Sequence, residues 1–85
     1  MRIKLLYFAS LREALGTATE SLELPEAVTT VDGVREHLSA RGPEWARALG
    51  DGRVIRVALD QIIAQPDSPI HDGAEVAFFP PVTGG

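Results

Sequence analysis

Residues 74–85 read AEVAFFPPVTGG, and the point where this stretch stops being a strand decides how the rest of the chain is read. Val76 and Phe78 alternate with Ala77 and Phe79, the period-two pattern of a strand whose neighbours face opposite ways. Pro80 and Pro81 then fix φ and remove two backbone donors, so sheet pairing cannot run past Phe79. One boundary therefore gives two units, a folded body over residues 1–79 and an extended tail over 80–85 that ends in Gly-Gly. A last strand this apolar belongs in the middle of a sheet, beside another of the same kind.

The N-terminus supplies that neighbour. RIKLLYFA (residues 2–9) puts Ile3, Leu5 and Tyr7 on one side and Lys4, Leu6 and Phe8 on the other. SLRE (10–13) then reads as a capping box, in which Ser10 and Glu13 satisfy each other's backbone amides. A short helix over Leu11–Leu15 follows, with Gly16 suited to its C′ position. TATESLEL (17–24) alternates as a second strand with Leu22 and Leu24 inward, stopped by Pro25.

TTVDGVREHLSARG (29–42) is the main helix. Thr29, Thr30 or Asp32 can cap it, Val31, Val34 and Leu38 recur at helical spacing, and Gly42 ends it. Pro43 at a first helical position opens a shorter helix, PEWARALG (43–50), anchored by Trp45 and Leu49. RVIRVALD (53–60) is a third strand, with Ile55, Val57 and Leu59 inward and Val54, Arg56 and Ala58 outward. QIIA (61–64) is a short fourth strand, and HDG (71–73) is a turn into the last one.

This order predicts an α+β fold of the β-grasp (ubiquitin-like) kind: a mixed sheet of four to five strands gripping one main helix, with short helices besides. First and last strands lie parallel and central. Val34 and Leu38 cover one face of the sheet, and no second long helix is left for the other. Alternation gathers Leu6, Phe8, Arg56, Ala58, Ala77 and Phe79 on that second face, near the root of the tail. An apolar patch carrying one arginine has the composition of an interface.

Composition narrows the function. The chain has 85 residues and a net charge of −4, without the clustered Lys and Arg that binding to phosphate backbones needs, so nucleic acid is not expected as a partner. Cysteine is absent, which removes disulfides, thiolate metal sites and cysteine nucleophiles together and suits a reducing compartment. The start, MRIKLLYFAS, mimics a signal peptide, but its apolar run is broken at Arg12 and Glu13. No stretch approaches a membrane span of about 20 apolar residues, so a soluble cytoplasmic protein is expected. His37 and His71 read as solvated polar positions, carboxylates stand singly, and no metal, phosphate-loop or nucleophile-elbow pattern occurs. The body itself is expected to hold no cofactor and no metal.

What remains is the tail. Fully extended, residues 80–85 reach about 20 Å at roughly 3.3 Å per residue. Glycines at the tip let backbone enter a channel too narrow for a Cβ. A carboxylate is a poor acyl donor until it is activated, so such a tip needs ATP and an adenylating partner.

DGAEVAFFPPVTGG (72–85), with the LLYFASLREALG opening (5–16), resembles the molybdopterin synthase small-subunit family (MoaD), ubiquitin-like sulfur carriers. The resemblance implies that Gly85 is adenylated by a MoeB-like, ubiquitin-activating-type enzyme that consumes ATP, and is then converted to a thiocarboxylate. It implies that Gly84 threads the partner's channel beside Gly85, with Val82 and Thr83 part of the inserted tail. It further implies a large subunit (MoaE) as partner, in a heterotetramer, where sulfur passes to cyclic pyranopterin monophosphate to build a dithiolene. Phe79 matches an aromatic of the partner contact. The VALDQ stretch (57–61) departs from the family pattern at one turn. Rival readings are a ThiS-like carrier for thiazole synthesis and a ubiquitin-like modifier or interaction domain. A β-grasp ferredoxin is excluded, since it needs four cysteines.

Overall fold

The computed structural model describes residues 1–50 and 52–81. Among these, β1 (Arg2–Tyr7), α1 (Ala9–Leu15), β2 (Thr19–Glu23), α2 (Val31–Ser39), α3 (Pro43–Leu49), β3 (Arg56–Leu59), β4 (Ile62–Ile63) and β5 (Glu75–Phe79) follow in order. The strands form one five-stranded sheet, ordered β2-β1-β5-β3-β4. β1 and β5 run parallel at its centre, Leu5 beside Val76 and Tyr7 beside Phe78, and the other pairs are antiparallel. This is the expected β-grasp.

All three helices cover one face. Ile3, Leu5, Tyr7, Val57, Val76 and Phe78 from the sheet share a single core with Leu11 of α1, Val31, Val34 and Leu38 of α2, and Ala48 and Leu49 of α3. Val34, Leu38, Val76 and Phe78 are fully buried, as their spacing predicts. Ala58 and Ala77 lie outside this core, on the far side of the sheet, which no helix of the described residues covers.

Four local readings change. Ser10 does not cap α1: Phe8, still extended, is its N-cap with no side-chain hydrogen bond, and the Leu11 and Arg12 amides donate to the Phe8 carbonyl. Ser10 and Glu13 are both inside the helix, because the parallel pairing with β5 holds the chain extended through Phe8, whose amide donates to Phe78 at 3.1 Å. The reversal is then made at Ala9, with φ 52°. Thr30 alone caps α2, accepting from the Gly33 amide at 3.1 Å, and Asp32 sits in the first turn. α2 stops at Ser39 with Ala40 as its cap, and Gly42 serves instead as the N-cap of α3, with Pro43 following as expected. β3 begins only at Arg56, because Phe79, the last residue of β5, is the last partner available to it.

Candidate functional site

The tail follows directly on the central strand of the sheet. β5 is flanked on both sides, by β1 and β3, and Phe79 pairs with Arg56 at its very end. Pro80 and Pro81 follow half-buried and belong to no strand, so the proline stop acts where the sequence placed it. Val82, Thr83, Gly84 and Gly85 lie outside the described residues.

Period-two alternation builds the face beside this root. Leu6 of β1, Ala77 of β5, Ala58 of β3 and Ile63 of β4 stand abreast, one residue from each of four strands. Phe79 and Arg56 form the next rank toward the tail. Phe8 continues the alternation beyond β1 and is 48% exposed. The structure thus brings together every residue the sequence assigned to this face: Leu6, Phe8, Arg56, Ala58, Ala77 and Phe79. Ala58 and Ala77 are shielded despite the missing helix, since their short side chains lie between larger neighbours. Ile63, 54% exposed, extends the apolar row to the sheet edge, and sequence reading missed it because a two-residue strand has no period to read.

The opposite face explains why this one can stay rigid while uncovered. Phe78 stacks on Tyr7 with ring centroids 6.1 Å apart, and Trp45 meets Tyr7 edge-on at 5.7 Å. The Tyr7 hydroxyl donates to Glu20 at 3.1 Å, and Arg41 grips the same carboxylate through two bonds of 2.8 and 2.9 Å while lying over the Trp45 ring. Burial, then the Glu20 charge, pushes the Tyr7 phenol far above its usual range, so it stays a donor. The Arg41 hydrogen bonds hold Glu20 below its usual range and so keep it ionised. β1, β2 and the segment between α2 and α3 are thereby tied together on the covered face.

His71, read from sequence as a solvated turn residue, has a structural partner. Its Nε2 lies 2.6 Å from the Asp60 carboxylate and its Nδ1 2.9 Å from the Asp72 carbonyl. Both facing groups are acceptors, so the ring satisfies both only as an imidazolium, and the Asp60 hydrogen bond raises its pKa accordingly. Among the described residues, no three His, Cys, Asp or Glu side chains group as metal ligands would. No helix of the described residues is long and apolar enough to cross a membrane.

A mixed five-stranded sheet with its helices packed on one face and its first and last strands parallel at the centre is a ubiquitin-like β-grasp domain. Residues 5–85 match the ThiS family. The molybdopterin synthase sulfur carrier subunit of Escherichia coli is 46% identical over 83 residues, covering 98% of this chain and 99% of its own. That of Haemophilus influenzae is 41% identical with the same coverage. Among solved structures, SAMP1 from Haloferax volcanii superposes with a TM-score of 0.80 at 29% identity, over the whole of both chains. The chain belongs to the ThiS family, alongside the molybdopterin synthase sulfur carrier subunits.

Proposed function

We propose that this chain is the sulfur carrier subunit of a molybdopterin synthase, with Gly85 as the sulfur-bearing terminus. The observation that carries the reading is the continuity of β5 with the tail: a strand fixed in the core by Phe78 runs through Phe79 on the open face into Pro80, Pro81 and the terminal glycines. A rigid body, a recognition face and a reactive arm lie on one line of backbone.

The chemistry follows from what a carboxylate can do. An adenylating partner joins the Gly85 carboxylate to the AMP part of ATP and releases pyrophosphate. The terminal sulfur of a persulfide donor then attacks the acyl carbon and AMP departs, and a second thiol cleaves the resulting acyl disulfide, forming a disulfide with the donor's thiol and leaving a thiocarboxylate. Near neutral pH its sulfur is a better nucleophile than a carboxylate oxygen, and it is held covalently, so free sulfide is avoided. In the large subunit the sulfur passes to the pyranopterin substrate, and water returns Gly85 to a carboxylate. Each terminus holds one sulfur, so a dithiolene takes two deliveries. Leu6, Phe8, Arg56, Ala77 and Phe79 supply the docking face, and Val82, Thr83 and Gly84 the inserted segment. The word subunit in the relatives' names supports a large-subunit partner. Those same names favour molybdenum cofactor synthesis over the thiazole pathway.

Incubating the chain with an adenylating enzyme, ATP and a sulfur donor should exchange one oxygen for sulfur at Gly85, read by intact-mass and fragment spectrometry. Deleting Gly85 should abolish sulfur transfer with no change in thermal midpoint, since no core residue is touched. Dithiolene formation by the truncated chain would exclude the carrier reading. The likeness to SAMP1 favours a second reading, a protein modifier. Isopeptide-linked products through Gly85 in the same incubation would establish it.

A further inference from the structure

The charged residues of the open face are not spread evenly along it. At the end away from the tail, each cation has a carboxylate of its own chain beside it. Arg2 lies 3.7 Å from Glu23, its register partner on β2. Lys4 stands opposite Glu75 of β5. Alternation with the buried Ile3 and Leu5 puts Arg2 and Lys4 on the open side, and the pairing carries Glu23 and Glu75 there with them. The middle of the face is the uncharged row of Leu6, Ala77, Ala58 and Ile63.

Arg56 is the exception. It stands at the tail end of the face, exposed, directly across from Phe79. Phe8, one residue past the Tyr7–Phe78 pair, completes that rank. Arg56 is thus abreast of two phenylalanines rather than of a carboxylate. Among the described residues it enters no ion pair. Asp32 lines the same cleft of about 340 Å³, but it belongs to α2 on the covered side and is not paired with Arg56. In the free chain water solvates the guanidinium. A partner laid flat on Phe8 and Phe79 removes that water, and a guanidinium covered without a counter-ion is strongly unfavourable.

We propose that the large subunit meets this rank with a carboxylate set in an apolar surround, and that its pairing with Arg56 selects the partner and fixes how it sits on the face. This rests on the carrier reading above and supplies the chemistry of the partner's matching surface. A carboxylate is the matching group because a planar guanidinium offers it two parallel N–H donors, a geometry that an ammonium cannot supply. At the other end of the face Glu23 and Glu75 already answer Arg2 and Lys4, so the partner needs no charge there. A surface of the same apolar shape that lacks the carboxylate, or carries a cation in its place, is rejected by the charge it leaves covered and unpaired.

The test is calorimetric titration of the full chain against the large subunit at about 50 mM and about 500 mM salt. Arg56→Gln removes the charge and keeps a polar side chain, and it should weaken binding about tenfold at the lower salt. Arg56→Glu should weaken it about a hundredfold, and Arg56→Lys should fall between wild type and Arg56→Gln. The advantage of wild type over Arg56→Gln should shrink severalfold at the higher salt. Because Arg56 is exposed in the free chain, the thermal midpoint should hold in all three variants. Arg56→Gln binding as tightly as wild type overturns the proposal. So does Arg56→Glu binding no more weakly than Arg56→Gln, since the loss would then come from packing and not from charge. A wild-type chain that does not bind the large subunit at all is a different outcome, which rejects the carrier reading and this proposal with it.

Discussion

Phe78 and Phe79 are chemically identical neighbours, and the sheet gives them opposite work. Phe78 is fully buried against Tyr7 on the helix-covered face, while Phe79 stands half-buried on the open one. The two faces differ in the same way throughout. The covered face is closed by aromatic stacking and by the Tyr7–Glu20–Arg41 network. The open face is a flat row of small and medium apolar side chains, Leu6, Ala77, Ala58 and Ile63, with no partner among the described residues. On the proposed reading, stability and recognition would be separated by the pleat of one strand. The difference teaches that position in the pleat, not residue type, decides whether an aromatic side chain is buried in the core or left on the open face.

The largest effect should come from the covered face. Phe78→Ala should cost about 3–5 kcal/mol of stability, a large share of what a small domain has, measured by urea denaturation. An unchanged midpoint would mean that the two faces are assigned the wrong way round. Next is the open face: Phe79→Ala should weaken binding to the large subunit by about 2 kcal/mol in calorimetric titration and barely shift the denaturation midpoint. Equal affinities for mutant and wild type would leave the tail as the sole recognition element.

The smallest effect concerns the edge of the open face, which the β3–β4 turn holds in place. Asp60 and Gln61 both take positive φ there, 50° and 70°, and His71 braces the turn through Asp60. His71 is raised above its ordinary value, first by the Asp60 hydrogen bond, so its contribution is present below about 6.5 and lost as pH rises through the raised value. Asp60 is lowered, first by the Glu75 amide, so its contribution is present above about 3.8 and lost as pH falls through the lowered value. Wild type should therefore exceed His71→Gln in midpoint at about pH 5.5, and the gap should close by about pH 9. A gap independent of pH would show that the imidazolium is not what braces the turn.

Much of this was legible in the sequence where a signal is local. Period two gave both faces of β1 and β5, Gly16 marked the end of α1, Pro43 opened α3, and the diproline marked the root of the tail. Local signals failed where a distant strand overrode them. Ser10 and Glu13 have a capping-box pattern, yet Phe78, far along the chain, holds Phe8 extended and moves the helix start. The same distance hid Arg35 with Leu49, Arg41 with Glu20, and His71 with Asp60, because nothing in a side chain's neighbours announces a partner that the topology supplies later.

The central position of β5 has a mechanical consequence. On the carrier reading proposed above, a tail drawn into a partner's channel would also have to be withdrawn, and the pull would be transmitted along β5. Hydrogen bonds to β1 on one flank and β3 on the other lie across that direction, so the load falls on both ladders in shear, all bonds sharing it at once. Had the tail grown from the edge strand β4, the same tug would open the sheet one bond at a time, like a zip. A load applied to the central strand is thereby shared across two ladders, where the same load at an edge would peel one.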